Sequence, residues 1–508
     1  MPSDAAVPRP AHRRKLFWVA LLYFGEGLPL GVFYDLFPVH FRQQGVNLAE
    51  IGLLSLLGLA WTIKFLWAPL IDWTRHHRRW IAAAHAGMAA VLLGFGLFGG
   101  AESGGGVAGG VWIAIGLFTL LSATNDIATD GHTIEMLDRK TYGLANGLRI
   151  GFYRAGMLMA GGLLVVSGTL GWTAAWLLGA AVFGLNALMA LAAPREIART
   201  GPPPQTGGLR RELARLRAQP RWLLALGLVL AGLLWPVLGP LARAMGWDAI
   251  TAVAGSAWFR GALPVGLMLA GATLLVRAAR HPDAAALAQG PAFGAWIGLL
   301  TRPGMVAVLL FILSFKLGDA AMGFMVKPYW VDAGFSSAQI GLVSVNLGLG
   351  LSIAGGLIGG WYVDRVGLFR GLWVLGLWQA LSNLGYALVA SLVPAGSAAQ
   401  PALPPDLAAQ ALVYSASALE SLTGGLGTGA FLAFLMGITG RARATTEYAI
   451  LSSVFAFSRA VAGWAGGLGA EAMGYPAYFF LTFWLAFPAY ALLPAVKRMV
   501  ERPADDPV

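Results

Sequence analysis

Apolar runs of membrane-crossing length recur along this chain from residue 16 to residue 496. A bilayer core is crossed by about 20 mostly apolar residues in a helix. No water reaches the backbone there, so each crossing must close its hydrogen bonds within itself. The runs fall near 16–39, 50–71, 81–100, 111–134, 145–168 and 172–193, and again near 304–329, 338–362, 369–393, 408–436, 446–469 and 475–496. Two weaker runs, 222–240 and 254–276, lie between the sets and read as an extra helical pair. The expected fold is all-α and membrane-embedded, with 14 crossings. Composition agrees: 57% of residues are hydrophobic and 12% charged, against about one quarter charged in soluble domains. There is no cysteine, which removes disulfides, thiolate metal sites and thiol nucleophiles. The first apolar run contains Glu26 and Asp35 and lacks a clear small-residue cleavage site, so it reads as a retained helix rather than a signal peptide.

Charge placement orients the crossings. With the N-terminus in the cytoplasm, the clusters Arg75/Arg78/Arg79, Arg139/Lys140, Arg210/Arg211/Arg215/Arg217, Arg441/Arg443 and Lys497/Arg498 all fall inside, and only Arg42, Arg243 and Arg260 fall in outer loops. This is a positive-inside pattern, and it accounts for the net charge of +11 without nucleic acid. The expected organisation is a tail 1–15, a six-helix half 16–195, a connector with the extra pair 196–303, a second half 304–496 and a tail 497–508. In the connector, GPPPQTGG is a flexible spacer. The basic LRRELARLRAQ that follows is either a solvated connector or an amphipathic helix on the anionic inner leaflet.

The halves repeat in the same orientation. GVNLAEIGLLS (45–55) matches GFSSAQIGLVS (334–344), and YRAGMLMAGGL (153–163) matches SRAVAGWAGGL (458–468). Parallel six-helix repeats are the signature of the major facilitator fold, which binds its solute near mid-membrane between the halves. Each repeat also ends its second span at an Asp followed by basic residues, Asp72 in APLIDWTRHHRR and Asp364 with Arg365 in GGWYVDRVGLFR. These are candidates for a cytoplasmic gate; a solvated turn is the bland alternative.

Ionisable residues inside the spans cost about 2.5–3.5 kcal/mol each, yet they are numerous: Glu26, Asp35, Lys64, Asp126, Asp130, Arg149, Arg154, Lys316, Asp319, Lys327, Glu420 and Arg459. In GLFTLLSATNDIATDGHTIEML (116–137), helical spacing puts Ser122, Asp126, Thr129, Asp130 and Thr133 on one stripe, predicting a wet face. Asp126 and Asp130 either neutralise Lys64, Arg149 and Arg154, or one of them exchanges a proton. Glu135 is expected to pair with Arg139, and His132 to be an ordinary interfacial residue. Arg154 and Arg459 are repeat-related and suit either an acidic partner or an anionic solute. Lys316 and Asp319, three residues apart, are placed to neutralise each other. Glu420 lacks a charged neighbour on its helix and needs a partner or a proton. No metal-spaced His/Glu cluster, P-loop or nucleophile elbow is present, and the glycines of GGLGTG suit helix packing better than phosphate.

The stretches IGLLSLLGLAWTIKFLWAPLID, TNDIATDG, YRAGMLMAGG, FKLGDAA, GGLGTGAFLAFLM and EYAILSSVFAFSRA resemble the AmpG-type muropeptide permeases, in the peptide/acetyl-coenzyme A/drug transporter branch of the major facilitators. The resemblance covers roughly 16–195 and 304–495. It implies a proton-driven inner-membrane importer of N-acetylglucosaminyl-1,6-anhydromuramyl peptides serving cell-wall recycling, without cofactor or enzymatic activity. Its partners would be that solute, protons and lipids. Carried over by motif are Lys64, Asp126, Asp130, Arg154, Lys316, Asp319 and Glu420; together with the buried polar set this makes Lys64, Tyr153, Arg154, Lys316, Asp319 and Arg459 candidates for the solute, and Asp126, Asp130, Glu26 and Glu420 for the proton. Asn125 stands where the family often has Gln, and QQGVNLAEIGLLS and DIATDG are also similar to siderophore importers of the RhtX/FptX type. A siderophore or other bulky anion is therefore the alternative cargo, and a non-transporting sensor or assembly protein the alternative of another class.

Overall fold

A computed structural model of the chain describes residues 9–64, 67–74, 76–98, 109–136, 142–194, 211, 214–244, 262–288, 291–396, 402–438 and 444–500. The described residues are helical, with no strand among them. The first half is built from α1 (Arg9–Gly31, continuing through Val32–Leu36 and Phe37–Gln43), α2 (48–63), α3 (Ala68–Thr74), α4 (His77–Phe98), α5 (Gly109–Met136), α6 (Tyr142–Leu170) and α7 (Trp172–Ala192). Between the halves lie α8 (Pro220–Ala244), α9 (Leu263–Ala279) and α10 (Pro291–Thr301). The second half holds α11 (Met305–Phe315 and Leu317–Asp332), α12 (337–366), α13 (Leu368–Leu392), α14 (Leu407–Ile438), α15 (Ala444–Met473) and α16 (Tyr475–Trp484 and Phe487–Val500). Ten helices among the described residues are long and apolar enough to cross a membrane. The predicted second span departs from a single helix: α2 passes through a 3-10 turn at Ser55–Gly58, and α3 is a separate piece. The spacer GPPPQTGG, residues 254–261 of the second weak run, and Arg75, Arg139, Lys140, Arg210, Arg260, Arg441 and Arg443 lie outside the described residues.

The repeat seen in the sequence is a piece of local chemistry. Gly45 and Gly334 end α1 and α11 with φ of 81° and 83°, a conformation that favours glycine. Two residues later Asn47 and Ser336 cap the next helices. The Asn47 side chain accepts from the Glu50 N–H at 2.8 Å, and the Ser336 hydroxyl accepts from the Gln339 N–H at 3.3 Å. These caps satisfy backbone donors that a helix start leaves open.

Glycine also sets the helix contacts. A Cβ on Gly355 would sit 2.1 Å from the Leu422 carbonyl oxygen, and one on Gly425 2.3 Å from that of Ser352. The glycine run of α14 is thus a packing surface against α12, with backbones brought close by small residues. Gly27 and Gly156 do the same for α1 against α6.

Two stretches follow a π-helical path: Val32–Leu36 in α1 and Ile340–Leu347 in α12. Pro38 explains the first. It has no N–H, and its ring crowds the carbonyl four residues earlier. The Phe37 N–H reaches back five residues to the Val32 carbonyl instead.

Candidate functional site

Most of the charged residues inside the spans of the first half converge on one cluster. The Lys64 ammonium pairs with Asp126 across α2 and α5. One turn along α5, Asp130 Oδ1 accepts the Tyr23 hydroxyl at 2.6 Å and lies 3.2 Å from the Arg149 guanidinium, which also sits 4.8 Å over the Tyr23 ring. Glu26, one turn from Tyr23, is buried at 4% exposure, and its Oε2 has no hydrogen-bond partner. Tyr153 lies within electrostatic reach of Glu26, Tyr34, Arg154 and Arg459.

The second cluster centres on the break in α11. Lys316 interrupts the helix and points its ammonium at Asp319 (3.1 Å), the Thr428 hydroxyl (2.7 Å) and the Gly424 carbonyl (3.0 Å). Glu420, one turn before Gly424, accepts the Ser421 hydroxyl at 3.2 Å and feels the charges of Asp319, Lys327 and Lys316. Lys327 pairs with Asp35 of α1 at 3.2 Å, across the two halves. Four ion pairs therefore absorb Asp126, Asp130, Asp319 and Asp35. Glu26 and Glu420 remain among the acids, and Arg154 and Arg459 among the bases. Neither arginine has an ion pair among the described residues, and Arg459 lies 5.2 Å over the Tyr34 ring across the halves. Tyr34, Trp61 and Phe324 form an aromatic floor beside it.

The halves meet at one end. Where α1 reaches Gln43, Arg42 donates to Asp332 at 2.6 Å, the Tyr475 hydroxyl donates to the same carboxylate at 2.6 Å, and Gln43 donates to Ser337 at 3.0 Å. The repeat glycines interlock there: Gly52 of α2 meets Gly463 and Gly467 of α15, and Gly341 of α12 meets Gly161 of α6. The two sequence repeats therefore pack on each other, each motif of one half against the other motif of its partner. The apolar cores show the same asymmetry. At this end one core takes residues from both halves, including Leu36, Ile51, Leu164, Met325, Tyr329 and Ile340. Toward the N-terminal end the first half keeps cores around Tyr23 and Ile71, while the second keeps its own around Phe311 and Phe431.

Several expectations are revised. Thr129 is fully buried and its hydroxyl has no hydrogen-bond partner in the structure, so the α5 stripe is wet only along the Asp126–Asp130 edge. His132 is buried rather than interfacial, its ring centroid 6.5 Å from that of His77. Glu135 lies 3.6 Å from His77, and its expected partner Arg139 is outside the described residues. Arg42 belongs to the last turn of α1 and not to a loop. Asp364 is exposed at the end of α12, Arg365 lies 4.3 Å over Trp361, and the Asp72 side chain is outside the described residues. Sequence reasoning gave no site role to Tyr23, Asp35, Arg42, Lys327 or Asp332. The signal for the last four was their unbalanced charge inside or beside spans.

No protein-family model matches the chain. Among curated proteins, the anhydromuropeptide permease of Escherichia coli strain K12 is 26% identical over 492 residues, covering 95% of this chain and 79% of the relative. Among solved structures, an auto-inhibited peptide transporter of the POT family aligns with a TM-score of 0.61 at 17% identity, over 96% of this chain and 97% of the other. The nucleoside transporter NupG aligns at 0.57 and 13% identity, over 96% and 100%. The fold is that of the major facilitator transporters, and the chain is a multi-span membrane protein.

Proposed function

We propose that this chain imports anhydromuropeptides across the bacterial inner membrane in symport with protons, with both termini in the cytoplasm. The observation that carries the reading is the ion-pair balance between the halves. After four pairs are made, two arginines and two carboxyl groups are left over. Arg154 and Arg459 are free to bind the carboxylates of a bulky anionic solute through charge-assisted hydrogen bonds, with Tyr153 next to Arg154 in the chain. Tyr34, Trp61 and Phe324 offer apolar faces to sugar rings. Lys64, Lys316 and Asp319 have their charges already matched.

The proton carriers in this reading are Glu26 and Glu420, the acids inside the spans without an ion-pair partner among the described residues. Asp126 and Asp130 hold Lys64 and Arg149 in place. Positive-inside placement makes the Gln43 end the outer one, so in this reading the halves are sealed on the outside. The halves 16–195 and 304–496 rock about the site, with 196–303 as connector. Asp72, Asp364 and Arg365 serve as a cytoplasmic gate. Similarity to an anhydromuropeptide permease over 95% of the chain supports the cargo.

The test is uptake of labelled anhydromuropeptide into right-side-out vesicles, with and without an imposed proton gradient. Gradient-dependent uptake by the wild type, lost in Arg154→Ala, is the expected result. A folded wild type that takes up labelled siderophore and no muropeptide would overturn the cargo.

A further inference from the structure

The connector between the halves closes a small apolar core of its own. Leu216, Trp222, Ala278, Ala279 and Leu287 are buried together in it. This core joins the short helix around Leu216, the start of α8 and the end of α9 into one knob. The Gln219 side chain donates to the Asp283 carbonyl at 3.1 Å and ties the knob further. Leu216 therefore packs inside the protein rather than into the bilayer, so this part of the basic segment is not a free amphipathic helix.

The outside of the knob is arginine. Arg217, Arg221, Arg277 and Arg280 adjoin the core residues in the chain and are exposed. Asp283 is the only acid among the described residues of the connector. It lies 3.7 Å from Arg221 and 3.1 Å from His281. Arg217, Arg277 and Arg280 have no ion pair among the described residues. Apolar side chains stand exposed along the same helices, farther into the membrane. Leu224, one turn after Arg221 on α8, is 58% exposed, and Leu269, two turns before Arg277 on one face of α9, is 63% exposed. Arginine at a helix end above exposed leucine suits a ligand with a phosphate head and an apolar body. A soluble anion would leave the leucines unused.

We propose that this knob binds the headgroups of anionic phospholipids in the inner leaflet. The guanidinium groups donate to the phosphate oxygens, a match their planar fork favours, and the leucines of α8 and α9 meet the acyl chains. Each basic residue at an anionic leaflet strengthens such binding about fivefold. The apolar core holds the arginines of α8 and α9 near one another before any lipid arrives. Bound lipid pins the inner end of the α8–α9 hairpin at the headgroup level. The inference rests on the cytoplasmic placement of the connector in the reading above; the cargo plays no part in it.

The absence of native cysteine permits a single reporter, Ala218→Cys, at an exposed position beside Arg217, carrying a fluorophore. The full chain, purified in neutral detergent, is titrated with phosphatidylglycerol or phosphatidylcholine bearing a nitroxide near the top of one acyl chain. Half-quenching is expected at a concentration about tenfold lower, or more, for phosphatidylglycerol. Arg217→Gln, Arg277→Gln and Arg280→Gln together are expected to bring the two lipids level. The three corresponding lysine changes are expected to keep part of the preference, since lysine retains the charge and loses the fork. Equal quenching by both lipids in the wild type, or a preference kept by the triple glutamine variant, would overturn the inference. Displacement of the lipid by glycerol 3-phosphate or by a short RNA, at matched ionic strength, would also overturn it and mark a site for soluble anions. Should the triple variant fail to accumulate, the wild-type titration is repeated at about 0.5 M salt, where exposed charges are screened within a few ångström; a preference unmoved by salt would then overturn the inference. The assay has neither solute nor sidedness, so failure of the transport reading would leave its result standing.

Discussion

Adding a single methyl group at each glycine crossing is expected to prise open the outer seal without unfolding the protein. A Cβ on Gly52 would lie 2.7 Å from the Gly467 Cα and 2.8 Å from the Gly463 carbonyl oxygen; one on Gly341 would lie 2.4 Å from the Gly161 carbonyl oxygen and 2.8 Å from the Leu164 Cβ. Carbon contacts settle near 3.5–4.0 Å, so each falls short by about 1 Å. Backbone atoms cannot swing aside as a flexible side chain does, so the helices themselves must part. Overpacking of this kind costs about 1–3 kcal/mol per site. The cost is felt only while the halves are closed at this end. Each alanine therefore shifts the balance toward the outward state by about 5- to 150-fold, and the two crossings, having no shared partners, should add. Tyr34→Cys, in this cysteine-free chain, reports the shift through labelling by a membrane-impermeant maleimide from outside. Labelling is expected to rise with Gly52→Ala, with Gly341→Ala, and further with both. Unchanged labelling in a well-folded double variant would refute the reasoning.

Asp126→Asn strands the Lys64 ammonium and should lower stability by about 1–3 kcal/mol; Lys64→Met together with Asp126→Leu should recover most of that in thermal unfolding while leaving uptake abolished, since matched removal of an ion pair is cheaper than breaking it. Arg154→Ala and Arg459→Ala are each expected to abolish muropeptide uptake with little change in melting temperature, because neither guanidinium has an ion pair to lose; a large fall in melting temperature would mark a structural role instead. Glu26→Gln should preserve the fold and reduce proton-driven uptake at least tenfold, with counterflow exchange retained. Loss of exchange as well would move the proton to another acid.

What was legible in the sequence was local or periodic. The caps and glycines of GVNLAEIGLLS and GFSSAQIGLVS are signals within eleven residues, and they fix the turns at Gly45 and Gly334. Lys64 with Asp126 was one of the pairings open to the α5 carboxylates, and Lys316 with Asp319 could be anticipated because they share a helix face. The seam was not legible. Arg42 and Asp332 are 290 residues apart, and nothing near either announces the other. Burial of Thr129 and His132 was hidden for a related reason. Helical periodicity names the residues that share a face, but what packs against that face comes from α4 and α1, whose placement depends on the whole bundle.

The lone hairpin of α8 and α9 has a mechanical consequence. Met268 of α9 packs on the cluster of Leu53, Leu56 and Trp464, at the crossing of α2 with α15, while the crossing of α6 with α12 has no such companion among the described residues. Two joints that the internal symmetry makes alike are thereby made unequal. If the halves rock as proposed, the buttressed crossing is expected to act as the spine of a book, with the pages turning widest at the other. A large solute would then enter and leave off-axis, by the free edge beside α6 and α12.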